Sequence, residues 1–163
     1  KQLNLNSSQK SAISFLLSEI TDNITDHAQT ERGFVFIQYF RKKGFMDIVI
    51  ADLGITIKTG YRQVGIEAES HHEALDKALN GISSKEDSLR RGERGFGLDI
   101  SHNIVLDGLG GKGRFYLISG NGMVVDRKEG IEFEERFAWP GTLILIRIPS
   151  IPHDFRISEF TSI

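Results

Sequence analysis

Phe34-Val-Phe-Ile-Gln-Tyr-Phe40 and Phe45-Met-Asp-Ile-Val-Ile-Ala51, joined by the basic connector Arg41-Lys-Lys-Gly44, decide the fold of this chain. Both runs are short and dense in β-branched and aromatic residues, and the connector supplies a glycine, so they predict a β-hairpin. Asp52 falls where the second strand ends. Upstream, Asn6, Ser7 and Ser8 are good helix caps. The residues after them place Ile13, Leu16, Leu17, Ile20 and Ile24 on one stripe, which predicts an amphipathic helix to about Ala28.

The second stripe of that helix is polar. In Glu19-Ile-Thr-Asp-Asn23-Ile-Thr-Asp-His27 the residues Glu19, Asn23 and His27 recur every four positions and share one face. A carboxylate one turn from a carboxamide can bring a base and a metal-ligand oxygen into one small space. The same residue types also line solvated helix faces.

Downstream of Asp52 the pattern loosens from Leu53 to Gly92, where only Ser70-His-His-Glu-Ala-Leu-Asp-Lys-Ala-Leu79 has a capped helical form and the remainder is expected as loop. An irregular stretch of that size suggests a functional lid, placed at about 58–92. The pair His71-His72 is expected on the surface of that lid. Gly92-Glu-Arg-Gly95-Phe-Gly97 then opens a second core helix from Leu98 to Leu106. The chain closes in strands: Gly113–Ser119 and Met123–Asp126 around Gly120-Asn-Gly122, then Ile131–Phe137, and Thr142–Ile148 after a Pro140-Gly141 turn. Helix, hairpin, loose segment, helix and antiparallel strands together predict an α/β two-layer sandwich, with a mixed, mainly antiparallel sheet and helices on one face. One domain over residues 1–150 and a tail over 151–163 is the expected organisation of the 163 residues. The start at Lys1 suggests a processed or excised piece of a longer protein.

Composition narrows the function classes. Twenty basic and 22 acidic residues give a net charge of −2 without a block of like charge, so no nucleic-acid partner is predicted. The absence of cysteine removes disulfides, thiolate zinc sites and thiol nucleophiles, and agrees with a cytoplasmic location. No apolar run is long enough for a membrane segment.

Two glycine patterns fail on context. Gly108-Leu-Gly-Gly-Lys-Gly113 has the GxGxxG form, but it follows a helix and precedes a strand, the reverse of the order that aims a helix at a pyrophosphate. Gly111-Lys112 lacks the hydroxyl residue that a P-loop requires next. Both are expected as turn glycines. Gly95-Phe-Gly97-Leu98 has the right order, because backbone amides at the mouth of a helix can approach an anion. Asp52-Leu-Gly54 puts an acid at a strand end beside a glycine that would let a flat ring lie against the backbone, and it is equally ordinary turn chemistry.

Taken together, Glu19-xxx-Asn23, Asp52-x-Gly54, Gly95-x-Gly97-Leu98 and Gly141-Thr142 resemble, in order and approximate spacing, the four boxes of the GHKL ATPase superfamily, which includes histidine kinases, anti-sigma-factor serine kinases, DNA gyrase and MutL. The likeness spans about residues 8 to 149. Ala51-Asp-Leu-Gly-Ile55, Gly81-Ile-Ser-Ser-Lys85 and Arg94-Gly-Phe-Gly-Leu98 look closest to small stand-alone bacterial histidine-kinase-like ATPases and anti-sigma-factor kinases, some of them paired with STAS-like partners. The resemblance implies the Bergerat ATP-binding fold, ATP and Mg²⁺ as cofactors, and a protein partner or phosphoacceptor in bacterial signalling. It implies that Asn23 is a Mg²⁺ ligand and Glu19 the general base. Asp52 would accept from the adenine amine, Gly54 would give the ring access, and Thr142 would help fix Asp52 or a water. Gly95, Gly97 and Leu98 would frame the phosphates, with Lys85, Arg91 and Arg94 as lid cations.

The implied activity is ATP hydrolysis or γ-phosphoryl transfer to a protein; the alternative is a nucleotide-gated regulatory module with little turnover. One departure stands out. Thr56 occupies the last position of a box that often reads Asp-x-Gly-x-Gly, and its Cβ disfavours positive φ.

Overall fold

The computed structural model describes residues 7–30, 32–82, 96–108, 111–128 and 130–149. Helix α1 spans Ser7–His27, and the hairpin follows as β1 (Gly33–Phe40) and β2 (Phe45–Asp52). Helices α2 (Ile57–Gln63), α3 (His71–Leu79) and α4 (Phe96–Asn103) come next. A π-helical turn at Ile104–Gly108 leads into β3 (Arg114–Gly120) and β4 (Gly122–Val125). The two-residue β5 (Ile131–Glu132), a 3₁₀ turn at Glu135–Phe137 and β6 (Trp139–Ile148) complete the chain.

The six strands form one open sheet in the order β1-β2-β6-β3-β4-β5. Every pairing among the described strands is antiparallel, so the expected parallel component of a mixed sheet does not occur among them. The architecture is α/β and compatible with the expected sandwich. Alternate residues of the central strands, Ile48 and Ile50, Ile144 and Ile146, Phe115 and Leu117, are buried on one face. Against them pack Ala12, Leu16 and Ile20 of α1, Ala74 and Leu75 of α3, and Leu98 of α4. The four-residue spacing in α1 and the two-residue spacing in the strands are the two periods that aim these side chains at a shared core. Fully burying a leucine or isoleucine here contributes about 1.5–3 kcal/mol.

Register on the opposite face is pinned by a charge pair. Asp47 and Arg147 stand opposite each other on β2 and β6, and the guanidinium meets the carboxylate through two bonds of 2.7 and 2.8 Å while lying over the Phe45 ring. No helix among the described residues is long and apolar enough to cross a membrane.

Three expectations are corrected. Residues 57–63, expected as loop, form α2. Thr56 caps it, Ser119 Oγ accepts from the Ile57 amide, and Tyr61 is buried in the core. Seven residues carrying a glycine and a single buried aromatic give too little periodicity to announce a helix. The stretch Ile131–Phe137 is a strand only at Ile131–Glu132; Phe133 still exchanges hydrogen bonds with Asn121, and the chain then enters the 3₁₀ turn at Glu135–Phe137. Pro140 and Gly141 lie inside β6, where the register against β3 shifts between Ser119 and Gly120. A proline has no amide to donate, and an irregularity is where a strand tolerates one.

Helix α3 matches its predicted range. Ser70 accepts from the Glu73 amide and Glu73 reaches back to the Glu69 amide, two orphan donors satisfied at one helix end. Of the expected lid, residues 58–82 are described, and Tyr61, Ala74, Leu75, Ala78 and Leu79 within it belong to the core. His71 and His72, expected on its surface, are half-buried. The His71 ring fills the space a side chain at Gly120 would take, and Gly120 has φ +60° in the β3–β4 turn.

Candidate functional site

Asp52 is the organising residue of the site. It ends β2 with only 2% of its surface exposed, and its Oδ1 accepts the Gly54 amide at 2.8 Å. The Thr142 amide also donates to it, which joins two boxes from opposite ends of the chain at one carboxylate. Burial pushes the Asp52 carboxyl above its ordinary value, and the two amide donors partly oppose that shift. The backbone of the same residue is held too. Trp139 donates its indole N–H to the Asp52 carbonyl at 2.9 Å.

Gly141 makes room for the carboxylate, since a Cβ there would stand 2.2 Å from Asp52 Oδ1. Behind Thr142 lies Ser119, which is fully buried. Its hydroxyl donates to the Gly141 carbonyl at 2.8 Å, lies 3.3 Å from Thr142 Oγ1 and accepts the Ile57 amide at 3.0 Å. Ser119 therefore ties β3, β6 and the start of α2 into the wall of the site. The sequence contains no motif that marks it. Its only signal is an alternation that puts a hydroxyl at an inward position of β3, next to Phe115 and Leu117.

Gly54 sits at a close backbone crossing. A Cβ there would lie 1.9 Å from the Ala28 carbonyl oxygen, and that same oxygen accepts the Ile55 amide at 2.9 Å. Glycine is required because the chain leaving β2 crosses against the end of α1. The contact also brings the C-terminal end of α1 to the Asp52 end of β2. Asn23 lies five residues before Ala28, about 7.5 Å along a helix axis. Its backbone is helical in α1, and its side chain lies outside the description.

Glu19 is half-buried one turn earlier on α1. Gly97 sits in the first turn of α4 and is half-exposed, while the Leu98 side chain packs in the core. Helix α1 packs on both β2 and α4, so the elements carrying Glu19, Asp52 and Gly97 are neighbours. Lys85, Arg91, Arg94 and Gly95 lie outside the described residues.

Thr56, the departure from the expected glycine, has φ −72° and caps α2, accepting from the Thr59 amide. No positive φ is required at that position, so a threonine fits where the pattern has glycine. The glycines set aside on context have structural roles as well. Gly111 has φ +71°, and a Cβ on Gly113 would meet the Val105 carbonyl oxygen at 1.9 Å. Compared with known proteins, the chain matches no family model and no curated protein.

Proposed function

We propose that this chain is a histidine-kinase-like ATP-binding domain of the Bergerat fold and the GHKL type, which with Mg²⁺ hydrolyses ATP or transfers its γ-phosphoryl group to a protein hydroxyl. The observation that carries the reading is the meeting of Gly54 and Thr142 amides on the buried Asp52 carboxylate. An ionised carboxylate has about four acceptor positions, so two amide donors leave capacity for an exocyclic amine. Adenine offers that amine and guanine offers a carbonyl in its place, which would repel the carboxylate and forfeit the bond.

The remaining roles are those the resemblance implies, on elements that neighbour one another. Glu19, on the helix that crosses the Asp52 end of β2, is the base that takes the proton of the attacking water or hydroxyl. Asn23, one turn further along, supplies a hard oxygen to Mg²⁺, which neutralises triphosphate charge when bound. The α4 amino terminus, with Gly97 in its first turn, presents backbone amides to phosphate oxygens. Phosphoryl transfer needs positioning and charge neutralisation more than covalent chemistry, and this set of groups is sufficient for it.

Thermal denaturation with Mg-ATP and Mg-GTP tests the binding step. ATP should raise the melting temperature and GTP should not, with the rise lost in Asp52→Asn; no adenine-dependent rise in the wild type ends the reading. Turnover measured with Glu19→Ala separates catalysis from binding, since that variant should retain the ATP-dependent rise and lose phosphate release.

A further inference from the structure

We infer that β1 is a self-association edge through which two copies of this chain pair antiparallel about a two-fold axis. Among the described residues no strand pairs with the outer side of β1, which is an end strand of the sheet. It is eight residues long and runs in unbroken register with β2. Its sequence, Gly33-Phe-Val-Phe-Ile-Gln-Tyr-Phe40, holds no charge and no proline. A short strand, a charge, a proline or a bulge is what ordinarily blunts an edge against pairing, and β1 has none of these.

Both faces of the strand are apolar and open. Phe34, Val35, Phe36, Ile37 and Tyr39 are 56, 53, 59, 48 and 40% exposed. Val35, Ile37 and Tyr39 stand opposite Ile50, Ile48 and Met46 and so continue the helix-side face; Phe34 and Phe36 stand opposite Ala51 and Val49 and continue the other. Together these five side chains leave roughly 500 Å² open, as large as the patches that mark interaction sites and more than half of the ~800 Å² each partner buries in a standard interface.

These two apolar faces choose the occupant. An extended peptide would satisfy the backbone edge but offers no layer to cover the helix-side residues. A second copy brings both layers at once, because a two-fold axis through the sheet joins each face to its equivalent and makes the contact self-complementary. Same-face pairing then sets Phe36 opposite either Phe36 or Gln38 of the other copy, and Val35 opposite Ile37 or Tyr39. Neither register opposes like charges within the strand, a clash that would destabilise a pair. The result is a sheet continuous across two copies.

Sedimentation velocity of the full chain over a concentration series tests the pairing. The wild type should show a monomer–dimer equilibrium, and Phe36→Lys and Phe36→Glu should each weaken it at least tenfold. Mixing the Lys and Glu variants should restore the dimer, because opposite charges then meet across the axis. Gln38→Lys replaces an exposed polar residue by another, cannot disturb the core, and should also weaken the dimer. A wild type that stays monomeric throughout, or a dimer indifferent to charge at 36 and 38, overturns the inference.

Discussion

Gly141 and Asp52 compete for the same volume: a Cβ on Gly141 would lie 2.2 Å from Asp52 Oδ1, 2.6 Å from the Asp52 carbonyl oxygen and 2.8 Å from the Gly54 nitrogen. Two of those three atoms are backbone and cannot swing away. The carboxylate can be buried against two amides only because β6 carries no side chain at that point.

Gly141→Ala should therefore cost about 1–3 kcal/mol, as overpacking in a tight interior does. Chemical denaturation measures that cost. The same variant should also lose the ATP-dependent rise in melting temperature, since the added methyl displaces the group proposed to read adenine. A variant as stable as the wild type would mean that the strand ends separate more easily than their packing indicates.

Asp52→Asn separates the charge of this residue from its shape. Burial raises the folded-state carboxyl above its ordinary 3.8, so folding favours the protonated form. The stability this group contributes is present below the unfolded value and is lost as pH rises through the folded one. The stability difference, variant minus wild type, should therefore grow in favour of asparagine as pH rises from below 3.8, because the amide keeps an oxygen for the Gly54 N–H and has no charge to bury. Urea denaturation across the acidic range gives the curve. A difference that runs the other way would show that the two amides more than repay the desolvation.

How much of this was legible depends on whether a residue's partner lies nearby in sequence. The hairpin around Gly44, the cap at Ser70 and the stripe Leu16-Ile20 rest on local spacing, and the structure has them where the spacing puts them. Asp52 was legible as an acid at a strand end. Its closure by Trp139, Gly141 and Ser119 was not: the Ser119–Gly141 and Trp139–Asp52 hydrogen bonds span 22 and 87 positions, the Gly141–Asp52 contact spans more, and none leaves a periodic trace. Helix α2 was missed for a related reason. Its start depends on Thr56 and on the distant Ser119 hydroxyl, and its seven residues hold no amphipathic repeat. At Gly54 the contact that demands glycine, the Ala28 carbonyl, belongs to another element and leaves no local signal.

His102 supplies a second titration with the opposite sign. It is buried beside Phe115, with Nε2 2.7 Å from the Asp126 carbonyl oxygen. Burial lowers its pKa below the ordinary 6.5, against the pull of that carbonyl, so the folded state holds a neutral ring that donates its Nε2–H. The unfolded chain takes up the proton first as pH falls. The neutral ring's contribution is thus lost as pH drops through 6.5 toward the folded value. His102→Gln can still donate toward Asp126 and should flatten the decline in stability between about pH 7 and pH 5. His71, also shifted downward, remains in both proteins, so the difference between the two curves isolates His102.

Thr56 makes the final case, because its role in the fold and its place in the expected box pull apart. Its hydroxyl accepts the Thr59 amide at 3.2 Å and lies 2.9 Å from Thr59 Oγ1, closing the first turn of α2. Removing such a cap by alanine costs about 0.5–2 kcal/mol, whereas glycine costs only a few tenths. Thr56→Ala should accordingly lower stability measurably and Thr56→Gly hardly at all. If the threonine also crowds a nucleotide, the glycine variant should show a larger ATP-dependent rise in melting temperature than the wild type. An equal rise in both would assign Thr56 to the helix cap alone and leave adenine recognition to Asp52 and the two amides that hold it.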